Sequence, residues 1–242
     1  MTGVQTCALP ISHKPFLIRR ALALEFAVPA ICLILFSGAY AQYAPPKERN
    51  KREADLIELV KLDRSIKLDI RYATSENFVG RAVYPEARAF LQRPAAHALL
   101  RVHKLLKKQG LGLVIFDGYR PWSITKLFWE VVPEDKRKFV ANPEKGSKHN
   151  RGCAVDLSIY DLKTGLSIPM PSGFDEFTER ASPGYKGGSK EERANRDKLR
   201  RLMESEGFTV NPNEWWHFDY KAWEKYAIYD LAFSAVGDTT AK

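Results

Sequence analysis

Cysteine is scarce in this chain: only three of its 242 residues are cysteine, and two of them, Cys7 and Cys32, lie in an amino-terminal stretch that does not read as part of the folded domain. Cys153 is then alone, so no internal disulfide can form and the domain must rest on its own core, which a chain of about 200 residues can supply. Long apolar runs are also missing. The best stretch, from Ala21, is broken by Glu25 and Pro29, and its uninterrupted part falls short of the roughly 20 residues a membrane span needs. There is no internal repeat, low-complexity tract, glycine-rich phosphate loop or GxSxG elbow. Nor is there a basic stripe with interleaved aromatics. Lys and Arg outnumber Asp and Glu by 38 to 29, but the two signs are interspersed, which excludes a dedicated nucleic-acid groove.

The amino terminus has three unlike pieces. Residues 1–11, MTGVQTCALPI, resemble the translation of a sequencing-library adapter and are read as an artefact without structural meaning. Residues 12–41 read as a secretory signal. Lys14, Arg19 and Arg20 precede an apolar run from Phe26 to Phe36, and Ala39 and Ala41 supply an A-x-A cleavage pattern, with the mature chain starting at Gln42. Without these residues the balance is 35 basic to 28 acidic. Residues 42–54, polar and containing Pro45 and Pro46, read as a linker, and 55–242 as one domain. A periplasmic or secreted location, with no stable membrane span after cleavage, is the expectation.

Within the domain, the two-residue period of Ile66, Leu68, Ile70 and Tyr72 predicts a strand in 56–72. Residues 94–109 predict a helix, with Pro94 in its first turn, Ala95, Leu99, Val102 and Leu106 on one stripe and Gly110 at its end. His97 and His103 on that helix read as surface or packing residues. A buried strand over 111–116 leads into Asp117-Gly118-Tyr119-Arg120-Pro121, followed by a helix over 122–131. A strand over 153–160, a helix over 189–206 with a Ser189/Glu192 capping box and Gly207 at its end, and a strand around 216–220 complete the pattern. Helices and strands without regular βαβ alternation predict an α+β fold with a largely antiparallel central sheet flanked by helices.

Two segments carry the chemistry: Ser147-Lys148-His149-Asn150-Arg151-Gly152-Cys153-Ala154-Val155-Asp156 and Glu214-Trp215-Trp216-His217. They offer two imidazoles and a carboxylate, one of the donor sets of a catalytic zinc, and a second carboxylate that can act as base toward water on the metal. Glu214 fits the base, although the spacing alone also allows it to exchange roles with Asp156. Strand parity turns Cys153 into the core as a small hydrophobe and puts Asp156 on the opposite face. Glu214 and His217 are an odd number of residues apart, which a regular strand would send to opposite faces. Pro212-Asn213 predicts irregular backbone at Glu214, before the strand begins.

The pattern S-x-H-x-x-G-x-A-x-D followed by E-x-W-H resembles the zinc D-alanyl-D-alanine dipeptidases of the VanX type, within the LAS metallopeptidases. Further matches are Arg71-Tyr72-Ala73-Thr74 with Asn77-Phe78, the DGYRP turn at 117–121, Pro169-Met170, Phe174-Asp175, Asn195-Arg196 and Leu199-Arg200. The resemblance implies a Hedgehog/D-Ala-D-Ala peptidase-like fold and one zinc ion per chain held by His149, Asp156 and His217. It implies Glu214 as general base and then acid, and Arg120 as the stabiliser of the oxyanion. Asp175 would pair with the substrate ammonium and so favour free dipeptides over acylated chains. Tyr72, Asp117 and Ser147 match positions in the pocket or directly behind it, and Asp117 could equally be a turn residue. Cys153 departs from the small polar residue of better-known members. The expected reaction is hydrolysis of free D-alanyl-D-alanine. A D,D-carboxypeptidase on peptidoglycan stems and a catalytically silent binding module are the rival readings.

Overall fold

The computed structural model describes residues 44–236, and the readings of 1–11 and 12–41 fall outside them. Strand β4 (Leu111–Asp117) and strand β5 (Ala154–Asp161) form the middle of a five-stranded sheet. Both are buried along nearly their whole length, β5 even at its polar Asp156 and Ser158. With β2 (Lys67–Leu68), β6 (Phe208–Asn211) and β7 (Glu214–Tyr220) the order is β2-β4-β5-β7-β6. Only β2 runs parallel to its neighbour, so the sheet is largely antiparallel. A separate antiparallel pair joins β1 (Leu56–Glu58) to β3 (Phe90–Gln92), with the short helix α1 (Leu59–Leu62) directly after β1.

Helix α2 (Arg93–Lys107) packs on β4 through Ala95, Leu99, Val102 and Leu106, all fully buried. His97 is exposed, and His103 is buried as a packing residue. The His103 Nδ1 accepts the Leu113 N–H at 3.2 Å, and burial holds its pKa below the usual histidine range. Helix α3 (Trp122–Val131) follows the turn after β4. Helix α4 (Lys190–Ser205) packs on β6 and touches α2 and β7. Its capping box pairs Ser189 and Glu192 reciprocally, a feature typically worth about 1 kcal/mol. Cys153 is fully buried, and desolvation pushes its thiol up to about 12.

The structure departs from the expected elements at several points. The predicted strand in 56–72 is broken into β1, α1 and β2, and Tyr72 lies in a 3₁₀ turn, Arg71–Ala73. Ile66, Ile70 and Tyr72 are indeed buried, but pairing with β4 is confined to Lys67, Leu68 and the Asp69 N–H on the Ile115 carbonyl, so most of the period reported burial and not ladder pairing. Strand β6 has no counterpart among the expected elements. Glu214 is the first residue of β7, not part of a loop before it, and the irregularity lies within the strand pair. Residues 44–55 carry no regular element beyond a bridge from Arg52 to Tyr226, yet they are tied down. Glu48 accepts two hydrogen bonds of 2.9 Å from the Arg151 guanidinium and one of 3.0 Å from the Ile228 N–H.

Candidate active site

Three adjacent strands assemble the site. Asp117 of β4 lies opposite Asp156 of β5, and Asp156 lies opposite His217 of β7, so a polar row crosses the sheet. Directly opposed residues project from the same face, which brings these side chains together. A bulge makes the first pairing possible. Ile115 faces Leu157 while Asp117 faces Asp156, so Phe116 is an extra residue; in a regular, unbulged register Asp117 would oppose Val155 and leave on the other face. A larger register shift in β7 solves the parity problem of Glu214 and His217. Val210 faces Phe218 but Asn211 faces Glu214, and across the irregular stretch Glu214 Oε2 comes within 3.7 Å of His217 Nδ1.

His149 enters from a 3₁₀ turn, His149–Arg151, before β5. Ser147 Oγ accepts the His149 N–H at 3.2 Å. The turn closes at Gly152 with φ +64°, where a Cβ would also stand 2.4 Å from Leu56 Cδ2. That double constraint explains the glycine of the motif.

The hydrogen bonds of the imidazoles set which nitrogens stay open. His149 Nδ1 donates to the Gly118 carbonyl at 2.7 Å, and His217 Nε2 donates to Asp219 Oδ1 at 3.0 Å. His149 Nε2 and His217 Nδ1 then face each other at 3.1 Å. Asp156 adds Oδ1 at 3.0 Å from His217 Nδ1 and Oδ2 at 3.4 Å from His149 Nε2. One donor atom from each residue lies within 4.8 Å of the others. Asp156 Oδ1 is buried and accepts no hydrogen bond. Three crowded electron-rich atoms in a buried site call for positive charge between them. An N, N, O set with an orphaned carboxylate oxygen fits a divalent cation.

Around this cluster lies a cavity of about 240 Å³. Tyr72, Arg120, Ser147, Asp175 and Glu214 line it together with the three cluster residues, whereas Asp117 stands behind the wall. The role of Asp117 there is visible: its Oδ2 accepts Arg120 Nε at 2.9 Å and Nη2 at 2.7 Å, while its Oδ1 accepts the Tyr84 hydroxyl and the Gly118 N–H, both at 2.8 Å. Arg120 is thereby pinned with Nη2 3.8 Å from Asp156 Oδ2 and its guanidinium 4.8 Å from the centre of the Phe128 ring. Glu214 is buried but outside the His-Asp-His group, which separates it from Asp156. Burial, assisted by the charge of Asp156, pushes the Glu214 carboxyl up to about 7. Asp175 accepts the Tyr72 hydroxyl at 2.7 Å, and burial together with Asp156 and Glu214 pushes its carboxyl up to about 8.

Two residues that the motifs did not single out join the site. Asp219 orients His217, and its Oδ2 takes the Lys148 ammonium at 2.8 Å, tying the His149 turn to β7. The signal was available: Asp219 follows His217 by two residues in a strand, which puts both on one face. Asp219→Ala is expected to weaken divalent-metal binding about tenfold, read by competition with a chromogenic chelator, with a smaller loss in Asp219→Asn, whose side-chain oxygen still accepts. Unchanged affinity in Asp219→Ala would remove it from the site.

A buried group that fits a metal, a carboxylate beside it raised toward neutrality and a fixed guanidinium make up a metallopeptidase-type centre. The chain belongs to the peptidase M15 family: residues 52–235 match its D-ala-D-ala dipeptidase description. It is 32% identical over 180 residues to the D-alanyl-D-alanine dipeptidase of Escherichia coli K12, covering 74% of this chain and 92% of that protein. It is 37% identical over 171 residues to the enzyme of the same name from Enterococcus faecium, covering 63% and 85%. The Streptomyces coelicolor D-alanyl-D-alanine dipeptidase is 33% identical over 174 residues, covering 64% of this chain and 86% of that protein.

Proposed function

We propose that this chain hydrolyses the free dipeptide D-alanyl-D-alanine to two molecules of D-alanine, with a zinc ion held by His149, Asp156 and His217. The observation that carries the metal part is the buried convergence of three donor atoms, one of them orphaned. The substrate part rests on the family and on relatives of that name matched along most of their length.

Zinc, when bound, supplies a Lewis acid and lowers the pKa of a water to near neutrality. Glu214 takes the proton of the attacking water and returns it to the leaving amine, a task suited to a carboxyl raised to about 7. Arg120, held by Asp117, offers N–H donors to the oxygen that gains charge during attack. Asp175, held by Tyr72, receives the substrate ammonium. Ser147 supports the turn that bears His149. No helix among the described residues is long and apolar enough to cross a membrane, and the leader-like 12–41 segment supports action in a periplasm or outside the cell.

The test is one set of rates on purified, zinc-loaded protein: free D-alanyl-D-alanine against an N-acylated tripeptide ending in it, before and after exhaustive chelation. Cleavage of the free dipeptide that chelation abolishes and zinc restores is expected. Equal rates on both substrates would favour a carboxypeptidase, and no turnover of either would favour a binding module.

A further inference from the structure

Three half-buried phenylalanines from separate segments meet at the site cavity: Phe78, Phe139 at the end of the 3₁₀ segment Glu134–Phe139, and Phe177 two residues after Asp175. They form a continuous chain of rings. Phe177 stacks on Phe139 with centroids 5.0 Å apart and planes 5° from parallel, and it meets Phe78 at 5.4 Å. Phe78 is in turn anchored on the fully buried Phe128 at 4.8 Å, edge to face. Such pairs are favoured by ring electrostatics beyond their apolar area, so the three rings hold one another in place. Phe139 is the one ring in a segment otherwise made of Glu, Asp, Lys and Arg, and it lines the cavity beside Lys138.

Beyond Phe78 lies a second cavity of about 420 Å³, bordered by Arg71, Glu76, Asn77 and Phe174. Phe78 and Asp175 line both cavities and are the partition between them. The site cavity, at about 240 Å³, lies below the roughly 300–1,000 Å³ of pockets that take drug-sized ligands. A substrate whose ammonium meets Asp175 points its nitrogen at this partition, so any acyl group on that nitrogen must go where Phe78 and Phe177 stand.

We infer that Phe78 and Phe177, backed by Phe139, are specificity-determining residues that block acyl groups on the amino side of the substrate, and that Phe78 closes off a neighbouring cavity able to receive them. This rests on the dipeptidase reading above and adds a steric exclusion to the charge-based exclusion by Asp175. The two are separable, because an apolar truncation leaves Asp175 and its Tyr72 bond in place.

The experiment measures kcat/KM for D-alanyl-D-alanine and for N-acetyl-D-alanyl-D-alanine, and the inhibition constant of the acetylated compound against the free dipeptide. Zinc-loaded wild type, Phe78→Ala, Phe78→Leu and Phe177→Ala are compared. Phe78→Ala is expected to shift the ratio of the two kcat/KM values at least tenfold toward the acetylated substrate and to lower its inhibition constant, with Phe78→Leu in between. Phe177→Ala should shift both in the same direction, and it carries the test if Phe78→Ala does not fold. Wild type that cleaves the free dipeptide, with ratio and inhibition constant unmoved in the variants, would overturn the steric role alone. Wild type inactive on the free dipeptide would instead overturn the functional reading.

Discussion

Glu214→Gln is expected to lower kcat on D-alanyl-D-alanine by about 10²-fold or more while bound zinc stays near one per chain. Glutamine is close to glutamate in shape and keeps a carbonyl oxygen for Asn211, whose Nδ2 donates to Glu214 Oε2 at 3.1 Å. It cannot take a proton from water. Because Glu214 stands outside the His-Asp-His group, the loss should fall on kcat and leave metal affinity alone. Arg120 should behave similarly for a different reason: in the proposed mechanism its donors serve charge that develops only during the reaction, and one such donor is typically worth about 10²–10³-fold. Arg120→Ala would strand the buried Asp117 carboxylate, so Arg120→Lys is the cleaner variant. It retains a positive charge beside Asp117 and loses the planar fork. Metal analysis with single-turnover rates checks both residues. Zinc loss in Glu214→Gln would mark it as a ligand, and full activity in either variant would sink its assigned role.

The contrast between what the sequence announced and what it concealed follows physical lines. Helix α4 was legible to within a residue because its start is chemical, a Ser189/Glu192 box, and its end is a glycine at φ +85°. Helix α2 was legible through its stripe, and β4 through an apolar run with no other reading. The His149, Asp156 and His217 set was legible as residue types at suggestive spacings. What makes them meet was not. The bulge at Phe116 and the register shift across Trp215–His217 depend on pairing between strands distant in sequence, and no local pattern encodes them. The 56–72 reading failed for a related reason. Alternating burial at Ile66, Ile70 and Tyr72 arises equally in a strand and in an irregular segment pressed against the core. Asp117 shows a further limit. Its motif was plain, but only the structure places it behind Arg120 as the carboxylate that aims the guanidinium.

Asp175→Asn is expected to reduce kcat/KM for free D-alanyl-D-alanine by about 10²-fold, chiefly through KM, because truncating one partner of a buried charge pair typically costs 2–5 kcal/mol. The structure gives this carboxylate an unusual setting. Asp175 is one of only two non-glycine residues with positive φ among the described residues, at +57°, and the Tyr72 hydroxyl holds its Oδ2. A side chain kept in left-handed backbone and bonded from one side is presented to the cavity in a fixed direction. Burial and the charges of Asp156 and Glu214 push it up to about 8, so near neutrality it carries a proton that an incoming ammonium must displace. The sign follows from linkage: binding releases that proton, so KM should fall as pH rises toward about 8, then rise again as the substrate amine, with its own pKa near 8, loses its charge. A cation at the cluster offsets the charge of Asp156 and moves the first limb to lower pH without reversing it. Asparagine has no proton to release, so Asp175→Asn should lose the falling limb and keep the rising one. It should also narrow the preference over N-acylated substrates, since the ion pair that only a free ammonium can form with Asp175 is lost. KM profiles of wild type and variant across pH decide the matter, and identical profiles would show that Asp175 does not meet the ammonium.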